Sequence, residues 1–170
     1  MKRLFALGLL CTGVIVSTAR ADVMTLTGQG ASTGAPLSAD VDFDVTSPNS
    51  LRVTVTHTAD QGGDSARLTY FGLQLQTDNL KVDLDPATFG SWSILQNAKL
   101  PGGGADTFNW LFQSSGTGAT GLDLGQTLVI NFISNQPLFT NLDLSTWKPT
   151  TKNNLLAEVK YQGEIGRAHV

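Results

Sequence analysis

The segment Asp60-Gln61-Gly62-Gly63-Asp64 has the residue types and spacing that could bind a calcium ion. Its two carboxylates supply hard oxygen ligands, and its glycines would let backbone carbonyls and water complete the coordination shell. Asp and Gly are also common turn residues, so a polar hairpin turn is the favoured interpretation. Calcium binding by Asp60 and Asp64 is the alternative.

Asp40, Asp42 and Asp44 repeat the D-x-D-x-D opening of an EF-hand loop. Val45 then stands where that loop requires glycine, and Leu51 stands where it requires a bidentate glutamate, so an EF-hand is excluded. On a β-strand the three carboxylates would share one face. We expect that face to be solvated, because charged side chains are rarely buried and like charges repel each other.

Three tryptophans could form a stacking platform for a sugar. Trp147 lies in the loop-like sequence TWKPT and is therefore the candidate ligand-binding residue. Trp92 and Trp110 alternate with apolar neighbours in strand-like segments, and buried aromatic rings dominate sandwich cores. We expect these two tryptophans to fill the core.

The sequence offers little for catalysis. His57 is the only histidine before residue 169, and neither a Gly-x-Ser-x-Gly motif nor a zinc-spaced ligand set accompanies it. The prediction is a protein that is not an enzyme, without catalytic residues. An unrecognised hydrolase is a third alternative, and it would need a cleft in which His57 meets an acid and a nucleophile.

Residues 1–21 have the order of an export signal. A basic start is followed by an apolar run over residues 4–16 and by an A-x-A cleavage site at Ala19-Arg20-Ala21. We expect cleavage after Ala21 and a secreted or cell-surface location. At the other end, residues 164–170 read EIGRAHV, which resembles translated sequencing-adapter DNA. These seven residues are therefore predicted to be a non-native tail.

Residues 22–163 are long enough for one domain with a hydrophobic core. They contain seven Lys and Arg residues against thirteen Asp and Glu, a net charge of −6, which offers no electrostatic footprint for nucleic acid or anionic lipid. They contain no cysteine, so stability must come from a packed core, with bound calcium the one cofactor considered.

Short segments of alternating polar and apolar residues recur about every ten residues, separated by turn signals. This pattern predicts an all-β fold, a single antiparallel β-sandwich of jelly-roll or immunoglobulin-like type with eight or nine strands. Residues 105–112 are predicted to pair with residues 121–132 in a hairpin with a long glycine-rich loop. A change of phase at Gly72 predicts a break or bulge there.

The segments GLDLGQTLVINF (residues 121–132) and LLAEVKYQG (residues 155–163) resemble bacterial PEP-CTERM proteins. Many members of that family carry a G-L-x-x-G-x-x-L/F-x-F-x-F strand and a final A-x-H-V-Q-G-like strand. The Pro-Glu-Pro motif, apolar helix and basic end of the family are absent here. The resemblance implies transient anchoring in a membrane through a missing C-terminal segment, then release to the cell surface or matrix.

The prediction is therefore an exported, non-enzymatic surface or extracellular-matrix protein, with exopolysaccharide or cell-surface components as partners. The alternative is a carbohydrate-binding β-sandwich module stabilised by calcium. A final strand missing after residue 163 would also leave an exposed sheet edge, which would make the chain prone to aggregation.

Overall fold

The computed structural model describes residues 21–30, 36–60, 66–75, 79–101, 107–115, 120–144, 155–162 and 166–169. Ten β-strands run through these residues, and all of their pairings are antiparallel. They are β1 Ala21–Gly30, β2 Pro36–Ser47, β3 Ser50–Asp60, β4 Arg67–Leu73, β5 Lys81–Leu84, β6 Trp92–Lys99, β7 Thr107–Ser114, β8 Thr127–Ile133, β9 Ala157–Gln162 and β10 Gly166–His169. The described ranges contain no helix long and apolar enough to cross a membrane.

The first nine strands form two sheets. The first sheet has the order β5–β8–β3–β2–β1, and the second has the order β9–β4–β7–β6. The predicted all-β antiparallel sandwich is confirmed. The four-residue strand β10 lies between β1 and β9 and hydrogen-bonds to both. The strand β10 lies within residues 164–170, which the sequence predicts to be a non-native tail.

The core forms where the apolar faces of the two sheets meet. In β2, Val41 and Phe43 are fully buried while the aspartates between and beside them are half-buried, which is the period-two pattern of a strand with one inward face. Phe112 of the second sheet meets Phe132 of the first edge-on at 6.3 Å between ring centroids. Such aromatic contacts between sheets add to the area burial that stabilises the sandwich.

The predicted hairpin between residues 105–112 and 121–132 is wrong. The strand β7 pairs with β4 and β6, whereas β8 pairs with β3 and β5, so the two lie in different sheets. Alternation indicates that a segment is a strand but carries no information about its partner. The connection from β7 to β8 crosses from the second sheet to the first.

The predicted break at Gly72 is also wrong. Gly72 pairs in register with Leu111 on one side and Glu158 on the other, and the register shift of β4 falls between Leu68 and Tyr70. A Cβ atom at Gly72 would lie 2.7 Å from the ring of Phe108. The glycine therefore makes room for an aromatic ring, which is the close approach that a glycine within a strand often marks.

Candidate functional site

The three residues predicted to bind ligands fall largely outside the described structure. Trp147 and Asp64 lie outside the described residues, and of Asp60 only the main chain is described, where it ends β3 opposite Leu37. The sugar-stacking role of Trp147 and the calcium site at Asp60 and Asp64 stay predictions. Within the described ranges, no group of three or more His, Cys, Asp or Glu residues is placed to hold a metal ion.

Trp92 and Trp110 are core residues, as predicted. Their exposed fractions are 8% and 6%. The indole Nε1 of Trp92 donates a hydrogen bond to the carbonyl oxygen of Phe89 at 2.9 Å. The ring of Trp110 meets Phe132 edge-on with 5.9 Å between centroids. Neither tryptophan can therefore belong to an exposed sugar platform.

His57 lies on the inner face of β3 and is fully buried. Its Nδ1 is 3.1 Å from the carbonyl oxygen of Leu122, and its Nε2 is 3.2 Å from that of Ala59. A neutral imidazole carries one N–H and can donate to one of these oxygens, whereas an imidazolium donates to both. The ring also packs against Tyr161 of the second sheet, with 5.0 Å between centroids. These contacts connect the two sheets, so the environment of His57 is that of a structural residue.

Residues 121–126, here named the bridging segment, are hydrogen-bonded to both sheets. In the second sheet, Leu122 and Leu68 exchange two main-chain bonds of 2.9 and 3.0 Å. In the first, the N–H of Gly125 donates to the carbonyl of His57 at 2.8 Å, and the N–H of His57 donates to the carbonyl of Gln126 at 3.2 Å. The bridging segment thus holds one end of the two sheets together.

Local chemistry explains the composition of the bridging segment. Gly121 and Gly125 adopt φ values of +125° and +79°, which side chains rarely tolerate. A Cβ atom at Gly121 would also lie 2.6 Å from the carbonyl oxygen of Leu68. Between the glycines, the Oδ1 of Asp123 forms an ion pair with the Nε of Arg67 at 2.7 Å. Gly121, Asp123 and Gly125 therefore each have a local structural role.

The outer face of the first sheet carries an aligned row of polar side chains. Thr25 of β1 is opposite Asp40 of β2, which is opposite Thr56 of β3, which is opposite Thr127 of β8. The row places one polar group on each of four successive strands. Neighbouring strands are about 4.8 Å apart. The Oγ1 of Thr25 donates to the Oδ1 of Asp40 at 2.7 Å.

A second row lies beside the first, with Val23, Asp42 and Thr54 opposite one another. We call Thr25, Asp40, Asp42, Thr54, Thr56 and Thr127 together the threonine–aspartate face. The sequence predicts that the face carrying these aspartates is solvated. In the structure Asp40 and Asp42 are half-buried, because threonines flank them. The Oδ1 of Asp42 is shielded from solvent and has no hydrogen-bond partner among the described residues.

A charged cluster centred on Asp85 lies directly after β5, the edge strand of this sheet. Its Oδ2 accepts hydrogen bonds from Arg52 at 3.1 Å and from the side-chain amide of Asn131 at 3.3 Å. Its Oδ1 accepts from the N–H of Ala87 at 2.9 Å. The Ala87 N–H, then the Asn131 amide, and to a smaller extent Arg52 hold the pKa of Asp85 below its ordinary value. Arg52 is thereby engaged within the sheet.

Sequence reasoning found the aspartates of this face but missed the threonine rows. The signal was present as threonines two residues apart, in Thr25 and Thr27 of β1 and in Thr54, Thr56 and Thr58 of β3. Their alignment depends on register between strands, which a single strand pattern does not contain.

No family model, no curated protein and no solved structure matches this chain.

Proposed function

We propose that this protein is an exported, non-enzymatic surface or extracellular-matrix protein that contacts an extended partner through the threonine–aspartate face. The observation that carries the proposal is the row of Thr25, Asp40, Thr56 and Thr127 across four neighbouring strands. His57, by contrast, has both ring nitrogens against main-chain carbonyls. The hydroxyls and carboxylates of the threonine–aspartate face lie on the outer side of a sheet.

The geometry of this face favours a polymer as partner. Small-molecule sites are typically concave and mostly apolar, whereas this surface is the outer side of a sheet lined with hydroxyls and carboxylates. A threonine hydroxyl can donate and accept, and a carboxylate accepts, so the face can hydrogen-bond to a chain of repeating hydroxyl groups. An exopolysaccharide or another hydroxyl-rich cell-surface component has that chemistry.

The negative charge of this face favours one class of polymer over others. Asp40, Asp42 and Asp44 lie along one strand of this sheet, and the whole chain has an acidic pI of about 5.1. Arg52, the basic residue opposite Asp44, is bonded to Asp85. Acidic polysaccharides and nucleic acids would be repelled by such a surface. Neutral polysaccharides are therefore the proposed partners.

The test is retention of the secreted full chain on insoluble neutral polysaccharides, cellulose and chitin, with alginate gel as the acidic comparison. The variant Thr25→Ala/Thr56→Ala/Thr127→Ala removes three hydroxyls from one row. Each hydroxyl contact contributes on the order of 1 kcal/mol, so affinity should fall about 100-fold. The matched control is Ser93→Ala/Thr107→Ala, which removes two hydroxyls from the second sheet and should bind as the unmodified chain does.

The same assay separates the other functions. Because Trp92 and Trp110 are buried, a binding module that stacks sugars on aromatic rings would depend on Trp147. Loss of retention in Trp147→Ala with no loss in the threonine variant would support that module instead. Release of new reducing ends during incubation would contradict a non-enzymatic function. N-terminal sequencing of the secreted protein should begin at Asp22, and a start at Met1 would contradict export with cleavage.

A further inference from the structure

The segment between β5 and β6 carries an exposed aromatic ring. Phe89 is 49% exposed, and within the described ranges no other phenylalanine, tyrosine or tryptophan side chain is exposed. Tyr70 is half-buried, and the remaining described rings are buried. Single exposed apolar side chains are ordinary on protein surfaces, so exposure alone does not make this ring a binding residue. Its position in the sheet gives it a possible role.

Phe89 lies at the end of the row of polar groups on the threonine–aspartate face. That row reaches β8 at Thr127, which is opposite Thr56 of β3. On the other side of β8, the carbonyl oxygen of Thr127 accepts a hydrogen bond from the N–H of Phe89 at 2.9 Å. Phe89 therefore takes the next position across the sheet after Thr127. With strands about 4.8 Å apart, the row from Thr25 to Phe89 spans roughly 19 Å.

The main chain around Phe89 is held in place without help from its ring. The Oγ1 of Thr88 donates to the carbonyl oxygen of Val129 at 2.8 Å and accepts from the N–H of Val129 at 3.0 Å. The carbonyl oxygen of Phe89 accepts from the Nε1 of the buried Trp92 at 2.9 Å. A ring on such a fixed main chain is preorganised for binding, because less conformational freedom is lost when a partner binds.

We propose that Phe89 is a further ligand-binding residue of the threonine–aspartate face and that it stacks on a sugar ring of the bound neutral polysaccharide. The face of an aromatic ring carries partial negative charge, which attracts the positively polarised C–H groups on the face of a sugar ring. The polymer then lies across the strands, with its hydroxyl groups bonded to the row and one sugar ring against Phe89.

This inference rests on the proposed function, because it adds a contact to the same surface. It differs from the alternative binding module, in which Trp147 supplies the aromatic ring. Here the ring belongs to the described sheet and continues the row of Thr25, Asp40, Thr56 and Thr127. Hydrogen bonds to the row and stacking at its end would therefore act on one polymer chain.

Retention of the secreted full chain on insoluble cellulose and chitin tests the role of Phe89. Phe89→Ala and Phe89→Leu both remove the aromatic face, and affinity should fall about 10-fold in each. Phe89→Trp keeps an aromatic face and should preserve retention. The matched control is Leu95→Ala, which removes a 40% exposed apolar side chain from β6 of the second sheet and should bind as the unmodified chain does.

A fluorescence measurement separates binding by the ring from a structural effect. Phe89→Trp adds an indole at the end of the row, so the difference in emission between this variant and the unmodified chain should change when cellohexaose or chitohexaose is added. Because Phe89 is anchored through main-chain atoms, the urea midpoints of its variants should match that of the unmodified chain. An emission difference that neither oligosaccharide alters would contradict the inference.

The retention results also distinguish this inference from the proposed function. If Thr25→Ala/Thr56→Ala/Thr127→Ala loses retention while Phe89→Ala and Phe89→Leu are retained like the unmodified chain, the face binds without the ring and the inference is wrong. If only Phe89→Ala loses retention and its urea midpoint also falls, the ring acts through stability and the inference is again wrong. If the unmodified chain is retained on neither polysaccharide, the proposed function fails and this inference fails with it.

Discussion

Replacing His57 by alanine should strongly destabilise the fold, because the side chain both fills the core and donates to the main chain. Removing a fully buried ring beside Tyr161 leaves a cavity, which typically costs about 2–4 kcal/mol. The lost hydrogen bond adds about 1 kcal/mol. The carbonyl of Leu122 still accepts from Leu68, so it is not left without a donor. We expect the free energy of unfolding to fall by about 3–5 kcal/mol.

Urea unfolding followed by tryptophan fluorescence, analysed by linear extrapolation, measures this change. His57→Phe keeps a ring against Tyr161 but removes the donor, so it should cost about 1–3 kcal/mol, less than alanine. Thr58→Ala is the neighbouring control on an exposed position and should stay within about 0.5 kcal/mol of the unmodified chain. A loss below about 1 kcal/mol for His57→Ala would refute the structural role of the ring.

Three further changes have definite expected outcomes. Gly121→Ala places a Cβ 2.6 Å from the Leu68 carbonyl at a φ of +125°, and it should lower the free energy of unfolding by at least ~1–3 kcal/mol in urea titration. Gly72→Ala places a Cβ 2.7 Å from the Phe108 ring and should cost about 1–3 kcal/mol, with Phe108→Leu restoring part of the loss in the double variant. The pKa of Asp85 is lowered in the folded state, so its carboxylate stabilises the fold above about pH 4 and loses that effect as pH falls through the lowered pKa. Asp85→Asn should flatten this acid limb in thermal melts at pH 2–5, and an unchanged slope would contradict the assignment.

The existence and type of the strands could be predicted from the sequence because side-chain alternation reports directly on a sheet with one buried face. Residues 37–46 and 51–58 alternate between polar and apolar side chains on either side of a turn-like sequence, which predicts an antiparallel hairpin, and β2 and β3 form it. Asp85-Pro86 is a turn signal in the sequence, and a turn forms there, since Asp85 accepts hydrogen bonds from the N–H groups of Ala87 and Thr88. Local chemistry is sufficient in these cases, because the partners are neighbours in the chain.

Partners that are distant in the chain could not be predicted in the same way. The strand β7 was expected to pair with β8, but the bridging segment carries the chain to the other sheet before β8 begins. That crossing depends on Leu122 pairing with Leu68, more than fifty residues earlier. The apolar alternation of β7 and β8 suits either arrangement, because both strands face the same core from opposite sides.

The role of His57 depends on a β-bulge that cannot be recognised from the sequence. Between β2 and β3 the register shifts, with Ala39 opposite His57 but Ser38 opposite Ala59, so Thr58 is an extra residue on β3. At this bulge the carbonyl of Ala59 lies 3.2 Å from the Nε2 of His57. In a regular strand the carbonyls take part in the hydrogen-bond ladder between strands. A bulge leaves its extra residue unpaired and disrupts that ladder locally. The bulge therefore accounts for an acceptor beside a buried imidazole, and a histidine that looked like a possible base from its type alone becomes a structural donor.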